Sequence, residues 1–254
     1  MFVSDAHVPQ NVCDLILALA VVFDDFKDLM MAQQLMQTVA PGDGPPSAAR
    51  GVFGGIHVHL FRMLAGLVNE LAELIKKNSK TIDDPAFSRV VTRMPQQARK
   101  MWRSVLAAAE STGPNGDNFG RFIYFARNTI GFHYDAKRIA RGFSSTFLKS
   151  ARTPPYISRG ANMAATRFYF ADAAAEAALF DCADATTVKE FITAGWQILP
   201  QISHSLRELI TAFVAMRGFA LRNHPSHEAT GRRTAESPSD DDFGGRALAD
   251  GRRR

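Results

Sequence analysis

The chain of 254 residues is 46% hydrophobic and carries a net charge of +5. This composition predicts a globular protein with a sizeable core, built as one large domain or two small ones. The two cysteines, Cys13 and Cys182, lie far apart in apolar stretches, which argues against a disulfide framework and favours buried thiols in the reducing cytoplasm.

The charge is unevenly distributed along the chain. Residues 1–49 hold one Lys and six Asp, whereas residues 50–150 hold sixteen Lys or Arg against seven acidic residues. A positive surplus of that size in the second segment favours an anionic ligand such as nucleic acid.

Hydrophobic periodicity and capping signals predict a series of helices and no alternating strand pattern in the body of the chain. The predicted helices span residues 8–39, 56–78, 85–94, 95–111, 119–126, 135–149, 164–182 and 186–221. We therefore expect an all-α fold, a helical bundle of about six to seven helices that forms a single domain over residues 1–221.

The first part of the chain shows no sign of a membrane segment. Its longest apolar run, residues 15–23, is nine residues long, well short of the roughly 18 that cross a bilayer. The first fourteen residues contain no Lys or Arg, which argues against a signal peptide. A Pro- and Gly-rich loop is predicted at residues 40–55.

Several helix boundaries carry specific signals. Asp84 before Pro85 is a typical N-cap, and Asp117 or Asn118 is the predicted cap of the segment at 119–126. Residues 151–182 are ambiguous, because two prolines and "RFYF" precede an Ala-rich stretch that favours helix.

The last helix and the end of the chain are also distinctive. We expect the helix to bend at Pro200 and restart with a capping box at Ser205 and Glu208. Residues 222–254 are rich in Gly, Pro, Ser and charge, and we predict a disordered tail there.

The stretch "FARNTIGFHYDAKR" at 125–138 is the strongest candidate for a functional site. In an ideal helix Arg127 and His133 would lie about 120° apart, but a break near Asn128 and Gly131 would let them converge. Arginine offers a planar fork for a phosphate, and histidine can move a proton near neutral pH. These two groups suffice for metal-independent cleavage of RNA by its own 2′-hydroxyl. Asn128 can orient the phosphate or the imidazole.

"RNTIGFHYD" resembles the R-x(4 to 6)-H signature of HEPN-domain ribonucleases, in which Asn is a frequent second residue. The resemblance implies a helical bundle that forms a homodimer, with the two motifs facing each other and RNA as substrate. It implies catalytic roles for Arg127, Asn128 and His133, without metal or cofactor. Many HEPN proteins act in toxin–antitoxin or phage-defence systems, so an antitoxin or regulatory protein is a further expected partner.

Other residues are assigned around this motif. Glu70, Tyr134 and Asp135 are predicted to support it, and Asp135 could also cap the next helix. Contacts with RNA are assigned to three basic residues, namely Arg121, Lys137 and Arg138. The aromatic residues before the motif fit a core better than a base-stacking surface.

Three weaker patterns and two other functions stay open. "HVH" at 57–59 lacks a third metal ligand nearby in sequence, His204 fits packing or capping, and "RNHPSH" at 222–227 contains a proline that disfavours a fixed site. The chain could instead be a noncatalytic helical module that binds RNA or a partner. It could also be a purely structural bundle with an interaction tail, which an ordinary salt bridge of Arg127 far from any cleft would favour.

Overall fold

The computed structural model describes residues 2–41, 48–131, 134–149, 155, 157, 166–179 and 184–219, all within one compact unit, Met1–Leu221. These residues form helices and no strand, so the predicted all-α class is confirmed. The helices are α1 (Gln10–Thr38), α2 (Ala48–Lys77), α3 (Ser79–Ile82), α4 (Pro85–Arg93), α5 (Gln96–Ser111), α6 (Asn118–Ala126), α7 (Ala136–Phe143), α8 (Tyr169–Ala178) and α9 (Ala185–Met216), with π-helical segments π1 (Arg127–Gly131) and π2 (Ser144–Leu148).

The described part thus holds nine α-helices, more than the predicted six to seven. The predicted spans include counterparts of the other eight helices, and only the one-turn α3 was not predicted. The predicted tail at 222–254, Cys182 and His133 lie outside the described residues.

Helix α2 is the central element, against which α1, α5, α6 and α8 pack. Its residues Leu64 and Phe61 are fully buried or nearly so, and each large apolar side chain removed from water contributes about 1.5–3 kcal/mol. Within the described chain, Arg50–Lys77 is the one helix with the length and hydropathy to cross a membrane, a property that core helices of soluble proteins share.

Aromatic contacts fix α6, which leads into the motif, against its neighbours. The ring of Phe122 lies 5.9 Å from that of Phe61 on α2 and 5.1 Å from that of Phe191 on α9. The buried rings place the end of α6 beside the middle of α2.

The start of α2 differs from the prediction. The helix begins at Ala48, so the loop predicted at 40–55 is wrong over residues 48–55. The glycines there lower helix propensity by about 1 kcal/mol each, but they allow close packing. A Cβ at Gly51 would collide with the Tyr169 ring, and one at Gly55 would collide with the Arg167 guanidinium. Tertiary packing therefore outweighs local propensity.

The predicted capping box in the last helix is also wrong. Helix α9 is continuous through Pro200, and its N-cap is Asp184, whose side chain accepts hydrogen bonds from the backbone N–H groups of Thr186 and Thr187. Ser205 is buried inside the helix, where its hydroxyl donates to the Ile202 carbonyl at 2.9 Å. Glu208 is instead paired with Arg207.

The other cap predictions are confirmed. Asp84 accepts a hydrogen bond from the Ala86 N–H, and Asp117 accepts one from the Gly120 N–H, both at 2.7 Å. The helix predicted at 135–149 changes to π2 after Phe143, and the one predicted at 164–182 is α8, which is shorter within the described residues.

Candidate functional site

The motif begins on a π-helical turn. Helix α6 continues directly into π1, in which Thr129, Ile130 and Gly131 are buried. Such turns are rare and occur frequently at functional sites, because their wider spacing re-aims side chains. The regular helix ends before α7 begins, and the Asp135 N–H donates to the Thr129 carbonyl across this gap at 3.1 Å.

Arg127 is held in place by two side chains. Its Nη2 lies 2.9 Å from Oε1 of Glu70 on α2, and its Nη1 donates to Oδ1 of Asn128 at 2.9 Å. The amide nitrogen of Asn128 in turn donates to the Tyr124 carbonyl at 2.8 Å. The structure thus brings together three of the residues predicted for the site, Arg127, Asn128 and Glu70.

The Arg127–Glu70 pair remains partly accessible. The Arg127 side chain is 26% exposed and that of Glu70 is 55% exposed. A solvent-screened ion pair of this kind contributes about 1 kcal/mol or less to stability. Its main physical effect is to fix the direction of the guanidinium.

Arg62 is a second arginine at this site, and the sequence reasoning missed it. Its Nη2 donates to the Gly131 carbonyl at 3.2 Å and to the Tyr134 hydroxyl at 2.9 Å. Its Cζ lies 5.1 Å from the centre of the Tyr134 ring, which adds a cation–π contact. The available signal was its position on α2, two turns before Glu70.

Asp135 acts as a helix cap. Its Oδ1 accepts from the backbone N–H groups of Lys137 and Arg138, each at 3.1 Å, and its Oδ2 lies 3.1 Å from Arg138 Nε. The Arg138 guanidinium also lies 4.5 Å from the Phe125 ring centre. Of the three residues predicted to contact RNA, Arg138 is therefore held by these partners, while Lys137 is exposed.

A groove runs along α6 next to the motif. It encloses roughly 550 Å³ and is lined by Arg121, Tyr124 and Phe125 on one side and by Asp184, Thr187 and Phe191 on the other. Arg121, which was predicted to bind RNA, donates to the Asn118 side chain at 3.0 Å. Arg127, Asn128 and Glu70 do not line this groove; one lining residue, Tyr124, accepts a hydrogen bond from Asn128 through its backbone carbonyl.

The residues just before the motif are divided between the core and the surface. Phe122 and Ile123 are buried, in agreement with the predicted core role, whereas Tyr124 is 37% exposed. Beyond the motif, Tyr134 is 70% exposed.

The histidine pair at 57 and 59 lies inside α2 rather than at a helix start. His57 stacks between Phe53 and Trp196, at ring-centre distances of 6.4 and 5.9 Å, and burial lowers its pKa. Burial also lowers the pKa of His59, with further contributions from Arg62 and Arg167. Nowhere in the described ranges do three His, Cys, Asp or Glu side chains cluster as a metal site would require.

No family model matches the chain, and no curated protein or solved structure matches it either. The HEPN resemblance of residues 127–135 therefore stays a prediction from the motif.

Proposed function

We propose that this chain is a cytoplasmic, metal-independent endoribonuclease of the HEPN type, in which Arg127 and His133 act on RNA within a homodimer. The observation that carries the proposal is the anchoring of Arg127. This residue sits on a π-helical turn, and Glu70 and Asn128 fix its guanidinium at 2.9 Å each. A guanidinium fixed in this way suits charge that develops on a phosphate in a transition state.

The chemistry needs few protein groups. The 2′-hydroxyl of a ribose attacks the adjacent phosphorus, the bond to the 5′-oxygen breaks, and a 2′,3′-cyclic phosphate forms. His133 of one copy takes the proton from the 2′-hydroxyl, and His133 of the second copy gives a proton to the leaving 5′-oxygen. Arg127 stabilises the negative charge on the non-bridging oxygens.

Arg62 extends this arrangement. It contacts Tyr134 and the end of π1 from the same helix that provides Glu70. We assign it a positioning role, in which its contacts with Gly131 and Tyr134 hold the chain on either side of residues 132 and 133.

The dimer and the further partner follow from the same resemblance. The exposed Tyr134 beside the motif offers a side chain with a large apolar ring for contact with a second copy. An antitoxin or regulatory protein would act by covering this face, in a toxin–antitoxin or phage-defence setting.

The test is cleavage of labelled RNA in EDTA by the wild type, His133→Ala and Arg127→Ala. We expect the wild type to release fragments with 2′,3′-cyclic phosphate ends, and each variant to be slower by roughly 100-fold or more. Matched thermal unfolding would establish that the variants are folded. Equal cleavage by His133→Ala and the wild type would contradict the proposal.

A second function is favoured by one observation. The carboxylate of Glu70 already occupies part of the Arg127 guanidinium, which suits a noncatalytic module that binds RNA or a partner through the same face. Under this alternative the wild type and both variants leave RNA intact in EDTA, while the wild type still retains labelled RNA in a filter-binding assay.

A further inference from the structure

A second positively charged region lies away from the motif, on α4 and α5. Between Asp84 and Glu110 the chain contains no acidic residue and five basic ones. We define the α4–α5 basic surface by these five residues: Arg89, Arg93, Arg99, Lys100 and Arg103.

The folding of α5 turns its cations outward. Ala98, Trp102, Val105 and Ala109 form the buried side of this helix. Lys100 and Arg103 are exposed, as is Arg93 at the end of α4. Packing of the core therefore leaves basic side chains of both helices exposed to solvent.

Three cations of this surface lack an acidic partner. Arg93, Lys100 and Arg103 form no ion pair with any acidic residue in the part of the chain that the structure describes. Arg89 and Arg93 are four residues apart on α4, as are Arg99 and Arg103 on α5, so each pair of like charges is close and repels. An anion bound between them would relieve this repulsion.

The surface also has concave parts. Gln96, Gln97, Arg99, Lys100 and Arg103 line an open groove of roughly 530 Å³. Arg89 and Arg93 line a separate pocket of roughly 470 Å³ that also contains His7 and Arg217. In that pocket Asp5 is already paired with Arg217.

The uncharged side chains near these cations indicate which kind of anionic partner the surface suits: a membrane, nucleic-acid bases or a nucleic-acid backbone. The groove lined by Arg99, Lys100 and Arg103 contains no exposed large hydrophobic side chain, whereas the pocket of Arg89 and Arg93 contains one, Phe219, which is 49% exposed. A membrane-binding face would combine basic residues with exposed apolar ones. A base-stacking face would present aromatic rings. Cations interleaved with glutamines suit phosphodiester backbones without selection by sequence.

We propose that the α4–α5 basic surface binds the phosphodiester backbone of nucleic acid. The contacts are made by guanidinium and ammonium groups with phosphate oxygens, and affinity comes from released counterions. RNA and DNA share this chemistry, and the surface does not select bases. The inference stands on the charge distribution and does not require cleavage at Arg127.

The experiment uses the full chain and a fluorescein-labelled 2′-O-methyl RNA, which lacks the hydroxyl needed for self-cleavage. The test variant is Arg93→Gln/Lys100→Gln/Arg103→Gln, at three exposed positions. The control variant is Lys80→Gln/Lys189→Gln/Arg207→Gln, which removes the same charge from exposed positions elsewhere. Anisotropy gives the Kd at several salt concentrations, and circular dichroism checks the fold.

We expect the test variant to bind about tenfold more weakly or worse, and the slope of log K against log salt to become shallower by about 2. The control should change affinity by about threefold or less, since its cations are not clustered. A labelled DNA of the same length should show the same loss, because the sugar is not read; a loss confined to the RNA would overturn backbone recognition.

Three further results would overturn the proposal: no binding by the wild type, equal losses in both variants, or unchanged binding in the test variant. Anionic lipid vesicles form the last arm. If the test variant loses vesicle binding while it keeps oligonucleotide binding, the surface recognises lipid and the proposal is wrong. Failure of the ribonuclease proposal would leave all these measurements unaffected.

Discussion

The motif and the α4–α5 basic surface are both positively charged, but they hold their cations differently. Beside the motif, Arg127 is paired with Glu70, and Arg62 donates to the Tyr134 hydroxyl. On α4 and α5, Arg93, Lys100 and Arg103 have no ion-pair partner among the described residues.

This difference suggests that the motif orients a bound phosphate, whereas the α4–α5 basic surface only attracts one. A guanidinium that is already fixed loses little conformational freedom when a reacting phosphate approaches, so it suits transition-state stabilisation. A solvated cation contributes mostly through counterion release, which is long-ranged, dependent on salt and tolerant of geometry. Activity at the motif should therefore depend on the shape of the side chain at position 127, whereas affinity at the α4–α5 basic surface should depend only on its charge.

Of these comparisons, the largest difference is expected when arginine is exchanged for lysine, which should impair the motif and leave the α4–α5 basic surface almost unchanged. Arg127→Lys keeps the charge but loses the two-pronged contact with Glu70 and Asn128, so RNA cleavage should fall by roughly tenfold or more. Arg103→Lys should leave the Kd for 2′-O-methyl RNA within about twofold of the wild type, since only charge is needed. Cleavage rates and anisotropy measure the two. Equal tolerance of lysine at both positions would remove the distinction between the regions.

A smaller effect is expected from removing the carboxylate beside Arg127. Glu70→Gln should strengthen RNA binding by a few-fold, because the arginine charge is no longer neutralised, and should lower turnover by about three- to tenfold through lost orientation. The matched control is Glu73→Gln on the same helix, where the carboxylate lies 3.9 Å from Lys76 Nζ. Single-turnover and binding measurements separate the two effects. A gain in both binding and turnover would mean that Glu70 only inhibits.

Tyr134→Phe tests the contact of Arg62 and should have a weaker effect. The substitution removes the hydroxyl that accepts from Arg62 Nη2, but it keeps the aromatic ring under the guanidinium. One partly exposed hydrogen bond contributes about 0.5–1.5 kcal/mol, so cleavage should fall by roughly two- to fivefold. Binding to the α4–α5 surface should not change. A loss as large as that of Arg127→Lys would show that Tyr134 itself takes part in the reaction.

Features that depend on neighbouring residues were predictable from the sequence, and features that depend on distant residues were not. Hydrophobic periodicity predicted most helices, and the short-range caps at Asp84 and Asp117 were identifiable because each cap bonds within a few residues. The start of α2 was missed, because its glycines are accommodated by Tyr169 and Arg167, far along the chain.

The site was predictable in part for the same reason. The motif itself is contiguous, so Arg127 and Asn128 stood out. The partner of Arg127 is 57 residues away in sequence, and Tyr134 is 72 residues from Arg62. Glu70 was selected as one polar residue among several on α2, whereas nothing in the local pattern distinguished Arg62. The absence of acidic residues between Asp84 and Glu110 was readable, but the missing ion pairs required the structure.

The smallest expected effect concerns pH, which should act on α2 and not on the α4–α5 surface. His57 stacks between Phe53 and Trp196, and burial holds its pKa below the ordinary value. The unfolded chain therefore takes up a proton more readily than the folded protein does. Stability linked to His57 is complete above about pH 6.5 and declines as the pH falls below that value.

His57→Phe removes this proton uptake and keeps a ring between Phe53 and Trp196, so the unfolding temperature should fall less on acidification from pH 7.5 to about pH 5.5 than in the wild type. Nucleic-acid binding at the α4–α5 surface should change little over the same range, because Pro85–Ser111 contains no histidine. Differential scanning fluorimetry and anisotropy measure the two responses. An equal decline in the variant would place the acid sensitivity elsewhere. Strong pH dependence of binding would show that groups other than the permanently charged Arg and Lys side chains set the affinity, which would contradict recognition by charge alone.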